Sequence, residues 1–89
     1  MHNVPLSDGC RMMLRKLLHQ RRIGGKHMPE ILALKSIQYL PKQEYKDAIK
    51  DWEDCIKEGL IIVKQKPNER HVSINPRRYK EAAFLAGEE

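Results

Sequence analysis

The segment Glu58–Asn75, EGLIIVKQKPNERHVSIN, decides how this chain is read. Gly59 is a natural helix stop, because a glycine just past the last turn adopts left-handed backbone without a Cβ penalty. Leu60 to Val63 is apolar and largely β-branched, and Val72-Ser73-Ile74 alternates. Between them KQKPNER holds the turn residues Pro67 and Asn68. The pattern predicts a two-stranded hairpin over about 60–74. A lone hairpin is marginal in water, so its apolar side must pack on helices.

Those helices are legible on both sides. Upstream, PKQEYKDAIKDWEDCIKEG predicts the longest helix, over about 42–58, with Tyr45, Ala48, Ile49, Trp52, Cys55 and Ile56 on one face. Pro41 marks its start. Before it, PEILALKSI predicts a short helix over about 29–37, with Pro29 at the first position and Ile31, Leu34 and Ile37 facing inward. The first helix, over about 7–22, starts at the capping residue Ser7 and buries Cys10, Met13, Leu14, Leu17 and Leu18. Gly24 and Gly25 are expected to end it. Arg11, Arg15 and Arg22 share a flank outside its core. Downstream, Asn75 and Pro76 open a last helix over about 76–86, with Tyr79, Ala82 and Ala83 as its docking residues. The expected fold class is α+β, in one domain spanning 1–89.

The composition limits the function. With 33% charged and 40% apolar residues, the chain reads as a folded soluble domain. No apolar run approaches the roughly 18 residues that span a bilayer, and MHNVPLSDGC has no basic segment leading into an apolar one. No membrane association is therefore expected, and the cytosol is the expected compartment. The two cysteines and four histidines are scattered without metal-ligand spacing, so no metal or cofactor is expected. No nucleophile, base and orienting group are gathered, so an enzyme is not expected. RRIGGKHMPE, residues 21–30, lacks the spacing of a phosphate-binding loop.

The net charge of +5 is uneven: residues 1–29 sum to +5, 30–59 to −2 and 60–89 to +2. A basic excess at both ends suggests a polyanionic partner. Lys64, Lys66, Arg70 and His71 gather on the hairpin with one acid, Glu69. Arg77, Arg78 and Lys80 extend the basic surface. Lys26 and His27 lie just before a predicted helix start, where backbone N–H groups favour anions.

The order helix, short connection, helix, tight turn, helix, hairpin, helix resembles the winged-helix domain family, and the likeness covers Ser7 to Asn75. It rests on that order and on EGLIIVKQKPNERHVSIN, which looks like a recognition helix running into a wing. The resemblance implies a non-catalytic protein that binds double-stranded DNA, most simply a transcriptional regulator. It places IGGKHM as a short strand joining the hairpin's sheet. It implies DNA contacts from Lys42, Gln43, Lys46 and Lys50 on the third helix and from Lys64, Lys66, Asn68, Arg70 and His71 on the hairpin, with Lys26 and His27 as minor backbone anchors. It is also consistent with a homodimer through the terminal helix, at Tyr79, Ala83 and Phe84.

The third helix departs from this pattern. From Lys42 to Glu58 it carries four positive and six negative residues. Lys46, Lys50 and Lys57 form one stripe, and Asp47, Asp51, Asp54 and Glu58 another. Carboxylates facing phosphate repel it and release no counterions. Either only the N-terminal half of the helix meets DNA, or the domain is a protein–protein interaction module working through this acidic helix. RNA is less favoured, because Trp52, Tyr45 and Phe84 fall on predicted core faces and leave no stacking platform.

Overall fold

The computed structural model describes residues 6–88. Residues 1–5 and 89, part of the single domain expected over 1–89, lie outside the described residues. The described residues form a mixed α+β fold: α1 (Asp8–His19), β1 (Met28–Pro29), α2 (Glu30–Lys35), α3 (Lys42–Lys57), β2 (Ile61–Gln65), β3 (Arg70–Ile74) and α4 (Tyr79–Ala86). The strands make one antiparallel sheet in the order β1-β3-β2.

Ser7 caps α1 by accepting the Cys10 N–H, and its own N–H donates to Asp51 Oδ2 of α3 at 2.8 Å. Gly9 sits where α1 meets α3 most closely: a Cβ there would lie 2.6 Å from the Ala48 Cβ. Beside it, Cys10 and Cys55 are both fully buried and their thiols interact. The neighbouring thiol, together with burial, pushes Cys10 far above the usual thiol range.

α1 ends three residues before the expected limit, and the glycines do not end it. Arg21 takes the left-handed conformation, φ 55°, and the Arg22 N–H closes back on the Leu17 carbonyl at 2.8 Å. The chain is then drawn into the sheet. Arg22 O accepts from Ile74 N at 2.8 Å, the Gly24 N–H donates to Ile74 O at 2.9 Å, and Ile23 bridges Ile74 in parallel. The short strand β1 falls at the end of the expected segment and past it: of IGGKHM only Met28 is in β1, opposite Val72, and Pro29 follows opposite His71.

Pro29 stays extended, ψ 132°, so α2 starts at Glu30 and spans six residues, less than the expected 29–37. Its inner face is Glu30, Ala33, Leu34 and Ile37, at helical spacing. Ile31, expected inside, falls off that face and is 53% exposed. α3 follows its expected face, with Ala48, Trp52 and Cys55 buried. It ends at Gly59, φ 81°, where the Leu60 N–H donates to the Cys55 carbonyl at 3.0 Å. The last helix is not continuous from residue 76: Pro76–Arg78 is a 3₁₀ turn capped by Asn75, and α4 follows. α4 docks on α1 through Ala82, Ala83 and Ala86, while Phe84 and Tyr79 are 67% and 44% exposed. Phe84 was expected in the core. The small alanines let α4 lie close to α1, and that orientation turns Phe84 outward.

Candidate nucleic-acid interface

Alternation along β3 sorts the hairpin's basic residues onto two faces. Val72 and Ile74 point into the core, and Arg70, two residues before Val72, shares their face. Its guanidinium turns back into the molecule. Arg70 Nε donates to Glu30 Oε1 at 3.2 Å, and another guanidinium nitrogen reaches Glu30 Oε2 and also Glu53 at 3.1 Å. The Trp52 indole N–H donates to the same Glu30 carboxylate at 2.8 Å. Hydrogen bonding to Glu30 raises Arg70 further above its ordinary value, against a smaller opposing effect of burial. Arg70 is thus a tie between α2, α3 and β3: its backbone, opposite Gln65, makes the last pair before the hairpin turn, but its side chain is turned inward.

The outer face carries the alternate residues. His71 stands opposite Lys64 in the β2–β3 register, and Ser73 opposite Ile62. The His71 ring meets His27, with their Nδ1 atoms 2.7 Å apart and the rings at 66°. His71 Nε2 bonds Glu69 at 2.8 Å. The hairpin turn closes through the Lys66 N–H to the Glu69 carbonyl at 2.8 Å, with Asn68 exposed in it. Lys64, Lys66 and Arg22 lie near enough to His27 that, after its own desolvation and the neighbouring His71, their charges hold it below the ordinary histidine value of 6.5. Lys26 is exposed beside this cluster. Lys26 and His27 precede a strand rather than the helix start expected for them, because β1 intervenes before α2.

On α3, Lys42, Gln43, Lys46 and Lys50 are all exposed. Gln43 is engaged with Asp47 through its Nε2 at 3.0 Å. Much of the helix's acidity has internal work: Asp51 holds Ser7, Glu53 holds Arg70 and Asp47 holds Gln43. The α1 flank splits. Arg15 donates to the Ala86 carbonyl at 2.7 Å and approaches Glu88 at 3.7 Å, and Arg11 lies beside Gly87, so both serve the negative end of α4. Arg22 instead faces the His27 cluster. Arg78 is held by Glu81 at 2.8 Å and by the Glu58 carbonyl, leaving Arg77 and Lys80 exposed.

The structure therefore brings together His27, His71, Lys64 and Lys66, leaves the α3 cations as a separate stripe, and removes Arg70 from both groups. Glu30 carries no expectation from the sequence, and Glu53, whose spacing suggests a partner in Lys57, bonds Arg70 instead. Glu30 had one signal, its place at i−3 and i−7 from the inward Ala33 and Ile37. Among the described residues, no group of three or more His, Cys, Asp or Glu side chains is placed to hold a metal ion, and no helix is long and apolar enough to cross a membrane. No protein-family model, curated protein or solved structure matches the chain.

Proposed function

We propose that this chain is a winged-helix protein that binds double-stranded DNA without catalysis, in the manner of a transcriptional regulator. The carrying observation is the set of exposed cations, Lys42, Lys46 and Lys50 on α3 and Lys64 on the hairpin, for which no carboxylate among the described residues forms an ion pair. The element order, with β1 supplied by the connection between the first two helices, supports the winged-helix reading. The pairing of Glu53 with Arg70 lessens the objection from the acidity of α3, while Asp47 and Asp51, bonded to neutral donors, keep their charge. In this reading α3 meets DNA through its N-terminal half, and the hairpin holds backbone phosphates.

The test is titration of mixed-sequence duplex DNA at several salt concentrations. DNA binding gives an affinity that falls steeply as salt rises. No binding at low salt overturns the proposal. A second reading, a protein-interaction role including self-association, is favoured by the exposure of Phe84 at 67% and Tyr79 at 44% on α4. A dimer through that helix elutes at twice the monomer mass, and Phe84→Ser returns it to a monomer.

A further inference from the structure

We infer that the His27–His71 pair, on the outer sheet face between Arg22 and the lysines Lys64 and Lys66, is a phosphate-binding site that takes up one proton when it fills. The inference rests on the DNA reading only for the source of the phosphate.

The hydrogen-bond pattern fixes the protons. A carboxylate only accepts, so the bond from His71 Nε2 to Glu69 requires N–H at that atom. A neutral His71 then has a bare Nδ1. Its partner 2.7 Å away must donate, so His27 carries its proton on Nδ1. That leaves the lone pair of a neutral His27 on Nε2. A bare nitrogen repels a phosphate oxygen, whereas a protonated one donates to it with a full positive charge behind the bond. One proton from solvent, added at Nε2, makes this change. It breaks neither the bond to His71 nor the bond to Glu69.

The surroundings favour an anion. Around His27 stand His71 on β3, Lys64 on β2, Lys66 at the turn and Arg22 on the segment after α1. Among the described residues, the carboxylate that bonds within this cluster is Glu69, held on His71. The Arg22 Nε is buried and makes no hydrogen bond among the described residues. Its own desolvation, and then these charges, resist protonation of His27 while the site is empty, and an arriving phosphate offsets the part due to charge. Proton and phosphate therefore bind together. By linkage, affinity rises as pH falls through the interval between the empty and filled titration midpoints of His27.

The experiment follows the His27 and His71 ring signals by NMR across pH in the full chain, alone, with inorganic pyrophosphate and with duplex DNA. The expected result is a rise of about one pH unit or more in the His27 midpoint with DNA, and with it about a tenfold gain in DNA affinity from pH 7.5 to 5.5. His27→Gln is expected to abolish the pH dependence and retain the salt dependence. A midpoint that moves with pyrophosphate but not with DNA supports the site and assigns it to free phosphate, against the DNA reading. Steep, salt-dependent DNA binding with an unmoved His27 midpoint overturns the site and leaves the DNA reading standing. An unmoved midpoint with both ligands also overturns the site, as does a pH dependence that survives in His27→Gln.

Discussion

Arg70 and His71 are neighbours on β3, yet they serve opposite faces of the same sheet. Arg70 reaches inward to Glu30 and Glu53, where Trp52 completes the network. His71 faces outward, against His27 and opposite Lys64. A count of basic residues treats both as part of one positive hairpin. The two-residue period of a strand separates them, turning one into the interior network and leaving the other on the outer face. The contrast is that carboxylates neutralise the inner cation, while among the described residues the outer cluster has only Glu69 beside it.

Breaking the inner network is expected to have the largest effect. Glu30→Ala leaves Arg70 with Glu53 alone and the Trp52 N–H unpaired. With Arg70 partly in solvent, the cost is about 2–3 kcal/mol, or about 10–20 °C in Tm for a domain of this size. Thermal unfolding checks it, and a shift below about 1 kcal/mol shows that the network contributes little. Changing Lys64 and Lys66 together to alanine is expected to leave Tm within about 2–4 °C, since neither side chain is in the core. The same change should cut DNA affinity about tenfold and lower the salt slope by nearly 2. If Tm falls and the salt slope holds, the two faces have been assigned the wrong way round.

Trp52→Phe sharpens the comparison by keeping the aromatic body and removing one donor to Glu30. About 1 kcal/mol of destabilisation is expected by urea titration, with no change in DNA affinity. The smallest effect belongs to His27. Its folded value lies below the ordinary 6.5, so the folded chain binds fewer protons than the unfolded one as pH drops through 6.5. Wild-type stability should fall relative to His27→Gln from about pH 6.5 down to the folded value, and run parallel below it. A wild-type stability that rises over that interval contradicts the depressed value. The same proton therefore weakens the fold slightly and strengthens the proposed phosphate site.

The element order was legible because three helices carry apolar faces at helical spacing and the hairpin alternates. Several details, among them one helix end and one buried face, were not. Arg21 closes α1 in a conformation usually left to glycine, although Gly24 and Gly25 begin three residues later; what selects Arg21 is the pull of Ile23 and Gly24 onto Ile74, a tertiary contact. Phe84 was misplaced because α4 is eight residues long, too few turns for period alone to fix which side is buried. On the candidate site, the inward turn of Arg70 was available from its spacing to Val72 and Ile74. The meeting of His27 with His71, 44 residues apart, depends on β1 pairing with β3 and carried no local signal.

The touching thiols of Cys10 and Cys55 give the molecule a built-in clock. Both are fully enclosed where α1 crosses α3, and Cys10 is held strongly in its unreactive protonated form. An alkylating reagent can reach either sulfur only after these helices part. At high reagent concentration the labelling rate is therefore the opening rate of the helical core, and at low concentration it reports the fraction of time spent open. Labelling rates for Glu30→Ala and for the Lys64/Lys66 variant would thus separate the two sheet faces without heat, denaturant or DNA.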